Sequence, residues 1–582
     1  MNSMGPIPSS PTDSMTATDL SDSPITASRH EAGRSHWGRM AIVFVTALAC
    51  FLPLPANSPL AGTEGHRAVT AHQMVTSGEW LVPRMYGRVY LAKPPLHYWI
   101  AATFETLSGV ATPFIWRLPS AVEGAMLASI LCWLGTRWFG GVAGIVSGFS
   151  FVALVAMWGQ DRGADIDLTN AFVSTIAAIC LMEMQFGIAR RRVGWILLGG
   201  LAIGASFLTK GPCGLPPILG AMIWIAFVSI RDRQASRLLR PQFWLPLVIG
   251  MLIFSLYAFA TYSYIKSHHM AADLTGVQEG TEDLHPHDWS IQRAIGWLLL
   301  PAIMFTYALP VSAALPLSFL REVRAALEPA RRSRMIALAS TILLAWLVCF
   351  VSGMHLPRYA YVTLPLMCPL AGAVAITIPT LSLSLRRVMT FLAGASSIIF
   401  GLAVVALSAY LWRHSSIRPL VIVTGVIALP LAVWIGRALY RGQFFGDNPR
   451  WRALYALPII LFCLSLNVGY VTDFDRLLRS SRHQGEMIRS ITGPDAQLFT
   501  CAMVLDQPEL FYYADLPTHA FDGDNLDWHD VKSGSWVVLE PQELKIWQHD
   551  VPDRLHRITY FVANKNPGIL LWYADQAAAT GL

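Results

Sequence analysis

From Met40 to Tyr470 the chain returns repeatedly to apolar runs of about 20 residues, the length a helix needs to cross a bilayer. No other feature limits the fold as strongly. In hydrocarbon every backbone N–H and C=O must be bonded within its own segment, so such runs commit the chain to a bundle of helices. They fall at roughly 40–55, 117–136, 140–159, 167–188, 193–209, 214–231, 243–265, 292–320, 335–353, 360–380, 388–411, 417–436 and 453–472. That is about thirteen spans. Composition agrees: 54% of the 582 residues are hydrophobic and 14% charged, against about 25% charged in an average soluble domain.

The loops orient the bundle. Arg190–Arg192, Arg231–Arg240, Arg321–Arg334, Arg386–Arg387 and Arg437–Arg452 bound arginine-rich connections that fall on alternate loops, which the positive-inside rule assigns to the cytoplasm. The loops at 57–113, 160–166, 209–213, 266–291 and 353–359 are then external. The loop holding Arg413 and Arg418 is external by this count yet basic. The net charge of +6 lies in these connections and forms no basic stripe with interleaved aromatics, which argues against nucleic acid. The eight cysteines show neither a disulfide framework nor metal-ligand spacing.

Three regions follow. Residues 1–36, rich in Ser, Thr and Pro, read as a disordered cytoplasmic tail. Residues 37–472 form the transmembrane domain with the large external loops 57–113 and 266–291. From 473 to 582 charge rises and short β-like pieces appear at 535–539, 558–562 and 569–573 beside a candidate helix at 476–491. This predicts a small α/β domain on the outer face.

The notable polar residues gather on that face. Glu64, His66 and Arg67 open an amphipathic stretch suited to a helix lying in the membrane interface. Asp161, Arg162, Asp165 and Asp167 stand where a span begins. Acids there favour the helix dipole, but carboxylates from two segments can also supply a general base and an electrostatic partner. Lys93 (LAKPP), Lys210 (LTKGP) and Arg358 (LPRY) are cations beside prolines. They suit either lipid-facing anchoring or a phosphate headgroup. His285 and His287, in HPHDW, sit among acids. Without further ligands at a known spacing they read as solvated or substrate-contacting residues, and a divalent metal stays an open option.

The order TEGH…SGEWLVP…LAKPPLHYW, GADIDLTNAF, LTKGP, HPHDW and LPRY before Pro365 resembles the polytopic GT-C glycosyltransferases of the aminoarabinose transferase and protein O-mannosyltransferase group. The motifs cover most of residues 57–370. The resemblance implies an all-α GT-C membrane fold and inverting transfer of a sugar from a polyprenyl-phosphate carrier. The acceptor would be a lipid A-like glycolipid, a polysaccharide or a protein, on the outer face of a bacterial inner membrane. It places catalysis on Glu64, assisted by Asp165 or Asp167, with Thr63 standing where the family has a second acid. It matches Lys93 to a phosphate-binding lysine. Lys210, Arg358, Tyr359, His66, Arg67, His285 and His287 complete the expected substrate contacts. The competing reading is a non-catalytic binder or flippase of lipid-linked sugars.

Overall fold

The computed structural model describes residues 24–52, 59–60, 62–154, 163–187, 191–268, 272–273, 291–309, 311–354, 356–414, isolated positions between 426 and 437, and 481–501, 507–520, 531, 534–546, 555–563 and 566–573. The expected spans at 417–436 and 453–472 fall largely or wholly outside them, as do His285 and His287.

The described chain is mostly helical. Helix α1 (Pro24–Phe51) leads into two shorter helices, α2 (Glu64–Ser77) and α3 (Leu96–Ser108). Then come α4 (Pro113–Phe139), α5 (Gly141–Val152), α6 (Ile166–Phe186), α7 (Arg192–Lys210), α8 (Leu215–Arg231) and α9 (Pro241–Ser267). Beyond them lie α10 (Ile291–Tyr307), α11 (Pro329–Val351), α12 (Met367–Ala375) and α13 (Leu383–His414).

Among the described residues six helical runs are long and apolar enough to cross a membrane, or seven counting one bent pair. One of the six, Arg192–Arg231, is 40 residues long. As a single rod it would reach about 60 Å, twice the apolar thickness of a bilayer. Its two ends, Arg192 and Ser229, instead line one cavity, so α7 and α8 fold back on one another as a hairpin. The run expected at 292–320 is not straight: it breaks between 307 and 311 with a bend of 105°.

A single apolar core joins α1 and α4–α8 to α10–α12, with Trp138, Phe51, Phe139 and Phe151 wholly buried in it. Helices α7 and α9 approach closely through small residues. A Cβ on Gly204 would lie 2.8 Å from Ile253, and one on Gly250 would lie 2.4 Å from Ile203. This is the usual way membrane helices gain contact where no hydrophobic drive separates them from lipid. The outer side of α9 stays apolar and open, with Val248, Leu252 and Phe259 exposed.

Two sheets lie outside the spans. Strands β1 (Arg84–Met85) and β2 (Arg88–Tyr90) form a hairpin over Tyr86 and Gly87, both at positive φ, as a tight two-residue turn requires. Strand β3 (Ala272–Asp273) pairs in parallel with β2, Val89 facing Ala272 and Tyr90 facing Asp273. In the tail, β4 (Leu498–Thr500), β5 (Thr518–Ala520), β6 (Ser535–Leu539), β7 (Leu555–Ala563) and β8 (Asn566–Tyr573) make a mixed sheet in the order β5-β4-β6-β8-β7. Helices α14 (Arg482–Thr492), α15 (Pro508–Ala514) and α16 (Pro541–Ile546) accompany it.

The amphipathic face of α2 is turned to protein, not to lipid headgroups. Ala68, Ala71 and Met74 pack with Tyr98 and Trp116 under Tyr512 and Tyr513 of α15. The tyrosine hydroxyls fasten the tail: Tyr86 donates to Pro508 O (3.0 Å), Tyr512 donates to Ala111 O (3.2 Å), and Tyr513 accepts from Leu60 N (2.7 Å). The covered apolar stripe is what the sequence pattern reflects; the protein supplies its partner.

Candidate active site

The motif pieces meet at one end of the bundle. Pro94 and Pro95 set the start of α3, since proline's fixed φ suits a first turn whose N–H groups have no helical partner. That start aims Tyr98 and Trp99 back at the first loop. Tyr98 Oη accepts from Arg67 Nη1 (3.1 Å), and Trp99 Nε1 donates to the carbonyl of Trp80 (2.7 Å). Arg67 also reaches the hydroxyl of Tyr90 at 3.5 Å.

Asp165 is the N-cap of α6, its carboxylate accepting from Ile166 N at 2.7 Å. Asp167 sits in the first turn, and Lys210 ends α7. Each charge favours the helix end it occupies. The two form a buried ion pair, Lys210 Nζ donating to Asp167 Oδ1. Lys210 also lies 5.0 Å from the ring centroid of Tyr359, and the Arg358 guanidinium 5.2 Å from the same ring. Arg358 further donates to Tyr359 Oη at 3.3 Å.

Lys93 completes the cluster. Its pKa is lowered to about 8, first by burial and then by the charges of Arg67, Lys210 and Arg358. Four cations from four segments therefore face one small region. Asp165 lies among them with its carboxyl pushed above the usual range, first by burial and then by Asp167, against the pull of Arg67 and Lys210. A desolvated carboxylate that holds protons more tightly than usual is poised for general-base work.

Glu64 occupies a different setting. Arg117 grips its carboxylate at both oxygens, Nε to Oε1 at 2.7 Å and Nη2 to Oε2 at 2.5 Å, and Ala164 N donates to Oε1 at 3.0 Å. Gly163 is required beside it, because a Cβ there would come within 2.4 Å of Oε1. Glu64 thus ties the start of α2 to the turn that carries Asp165. Thr63, where the resemblance led one to expect an acid, donates its hydroxyl to Asp165 Oδ2 at 3.1 Å. A third carboxylate at that point would have repelled Asp165; a hydroxyl supports its charged form.

Of the residues singled out in the sequence, Lys93, Lys210, Arg358, Tyr359, Arg67, Asp165 and Asp167 come together. His66 sits on α2 with its ring 6.1 Å from that of Tyr90. His285 and His287 lie outside the described residues, as do Asp161 and Arg162. Among the described residues no three His, Cys, Asp or Glu side chains gather as a metal site. Sequence reasoning passed over Arg117 and Glu509. Arg117 had a signal: by the loop alternation it stands at the expected external end of a span, where an arginine runs against the charge bias of the other loops. Glu509, buried on α15 against Gly65, had none, since only the docking of the tail brings it there.

A family model described as dolichyl-phosphate-mannose-protein mannosyltransferase matches residues 92–258. Among curated relatives, the undecaprenyl phosphate-alpha-4-amino-4-deoxy-L-arabinose arabinosyl transferase of Edwardsiella ictaluri (strain 93-146) is 28% identical over 193 residues, 32% of this chain and 34% of that protein. The transferase of the same description from Serratia proteamaculans (strain 568) is 25% identical over 463 residues, 76% of this chain and 77% of its own length. The matches thus span from about a third to three quarters of these relatives. The crystal structure of ArnT from Cupriavidus metallidurans bound to undecaprenyl phosphate superposes with a TM-score of 0.65 at 17% identity, covering 92% of this chain and 98% of that one. At that identity the likeness shows the fold, and the resemblance read from the motifs is borne out: the chain has an ArnT-like GT-C fold.

Proposed function

We propose that this chain is a multi-pass membrane glycosyltransferase moving a sugar from a polyprenyl-phosphate carrier to a glycolipid, glycan or protein acceptor. It would cross an inner membrane about thirteen times, with its N-terminus in the cytoplasm and its tail domain outside. The alternation of arginine-rich loops supports that orientation. The relatives' descriptions name an undecaprenyl-phosphate-linked aminoarabinose as the sugar they transfer, and a pentose of that class is the donor we infer here.

The observation that carries the reading is the convergence of Lys93, Lys210, Arg358 and Arg67 on Asp165 and Asp167. The carrier phosphate binds to Lys93 and Arg358, with Lys210 shared between it and Asp167. An acceptor oxygen attacks the anomeric carbon from the side opposite the phosphate. A bond forms from carbon to the acceptor oxygen, and the bond from carbon to the phosphate oxygen breaks. The polyprenyl phosphate leaves carrying the electron pair, its added charge held by fixed cations. Where the acceptor is a hydroxyl, its proton passes to Asp165. One such displacement inverts the anomeric carbon. Glu64, held by Arg117, acts in this scheme as a positioning residue for the Ala164–Asp165 turn rather than as the base.

A flippase needs unpaired polar groups along the bilayer path. In α4 and α6 the buried carboxylates are already engaged: Glu123 accepts from Thr169 at 2.7 Å, and Glu183 accepts from Arg137 and Trp138. This favours chemistry at one face over passage between faces. The test is transfer from radiolabelled polyprenyl-phosphate sugars to extracted membrane acceptors in proteoliposomes. Transfer by the native chain, lost in Asp165→Asn and weakened in carrier affinity by Lys93→Ala, is the expected result. Carrier retention without any transfer would overturn the enzyme reading.

A further inference from the structure

The opposite end of the bundle carries a second basic site that the transfer scheme does not use. Arg192 begins α7 and Lys210 ends it, so about 27 Å of helix separates this region from the cation cluster above. Here the last turns of α6 and α8 and the first turns of α7 and α9 line an open cavity of about 200 Å³. Its polar wall is Gln185, Arg192, Ser229, Arg237, Arg240 and Gln242; Phe243 contributes to the apolar side.

Three features separate it from an ordinary basic loop. First, no carboxylate pairs with Arg192, Arg237 or Arg240 among the described residues. The nearby acids are taken: Glu183 holds Arg137 and Asp232 holds Arg231. Arg192 instead donates to the uncharged Gln242, Nη1 to Oε1 at 3.3 Å. Second, Ser229 lines the cavity with its residue only 2% exposed, and its hydroxyl has no hydrogen-bond partner among the described residues. A buried hydroxyl left unsatisfied is costly, and a small turn of the Ser229 side chain toward an acceptor in the adjoining space would relieve it. Third, the cavity stands at the lipid boundary. The flanking turn Ala235–Leu239 ends with Leu239 86% exposed, Trp244 Nε1 is anchored to Leu238 O at 2.9 Å, and Leu245, Val248 and Leu252 continue an open apolar track along α9. Phosphate oxygens satisfy three arginines and a hydroxyl together, and the apolar track takes the chains attached to them.

We propose that this cavity binds the headgroup of an anionic phospholipid in the leaflet opposite the catalytic cluster, its acyl chains lying on α9. Basic pockets between membrane helices are the recognised form of such sites. The site is independent of the sugar-transfer reading and is tested without it.

The full-length chain, purified in detergent and stripped of lipid, is titrated with phosphatidylglycerol, with phosphatidylcholine and with inorganic phosphate. Bound molecules are counted by native mass spectrometry. Phosphatidylglycerol is expected to bind at least about tenfold more tightly than phosphatidylcholine. Each arginine contributes about fivefold, so Arg237→Ala with Arg240→Ala should cost roughly 30-fold and leave phosphatidylcholine binding unchanged. Both side chains are exposed, so this variant should keep its fold. Ser229→Val, which fills the cavity without touching charge, gives a second reading and should also weaken phosphatidylglycerol. Equal binding of the two lipids, or a preference that survives both variants, overturns the proposal. Inorganic phosphate binding as tightly as the lipid and displacing it would make this a small-anion site and overturn the lipid assignment.

Discussion

The pairing of Glu64 with Arg117 makes a double-mutant cycle decisive for which acid does the chemistry. The side chains are 11% and 4% exposed, so both charges are desolvated and neither is satisfied by water if the other is removed. Breaking a buried pair from one side costs about 3–5 kcal/mol, because a lone charge is left behind. Glu64→Gln strands the Arg117 guanidinium, and Arg117→Gln strands the carboxylate. The double variant Glu64→Gln/Arg117→Gln strands neither. Its loss should therefore fall short of the summed single losses by about 1–3 kcal/mol, read as thermal unfolding of the detergent-solubilised protein. Turnover should follow stability: depressed in each single variant and partly restored in the double. A general base gives the opposite pattern, since its loss lowers the rate by about 10²–10⁴-fold whatever its neighbour does. If Glu64→Gln unfolds like the native chain, and transfer stays at background with Arg117→Gln added, Glu64 is the base and the positioning role argued from its contacts is refuted.

Asp165→Asn should lower the rate of transfer to a hydroxyl acceptor by about 10²–10⁴-fold while carrier binding persists, measured by single-turnover transfer and by lipid retention. Lys93, with its pKa lowered to about 8 by burial and neighbouring cations, is charged below that pH and neutral above it. Carrier affinity should fall as pH rises through about 8, and Lys93→Arg should hold the plateau to higher pH. Glu509 has its pKa raised to about 7, chiefly by burial and further by Glu64. Between its usual value and about 7 the docked form binds more protons than the undocked, so docking is strongest at low pH and is lost as pH rises through 7. Hydrogen exchange of α15, taken relative to the intrinsic amide rate at each pH, should quicken from pH 6 to 8 in the native chain and not in Glu509→Gln. Gly65→Ala, whose Cβ would meet Glu509 Oε2 at 2.1 Å, should quicken it at every pH.

How far the sequence carried this depends on the distance over which each feature is decided. The spans were readable because bilayer thickness imposes a length that any window of about 20 residues detects. The piece SWVVL emerges as β6 unchanged, since a short apolar β-branched run announces itself locally. Lys93, Lys210 and Arg358 were readable one by one from the prolines beside them, and their shared face followed from loop alternation. What could not be read was which charges cancel. Glu64 and Arg117 are 53 residues apart, and nothing in either neighbourhood names the other. The same holds for the face of α2: its apolar stripe was visible, but whether lipid or protein covers it is decided by α15, some 440 residues later. The break in the run at 292–320 was hidden because an apolar run has the same composition bent or straight.

The short parallel pairing of β2 with β3 has a mechanical meaning. Backbone bonds at Val89–Ala272 and Tyr90–Asp273 splice the segment after α9 to the strand that ends three residues before Lys93. Tyr90, on that strand, also reaches Arg67. Two stretches nearly two hundred residues apart in the chain are thereby one piece of backbone, bearing on two of the four clustered cations. A displacement at Ala272–Asp273 is passed through these bonds to the strand that ends three residues before Lys93. Under the proposed reading, in which the cation cluster holds the carrier phosphate, that grip and residues 272–273 share one short ladder and shift together.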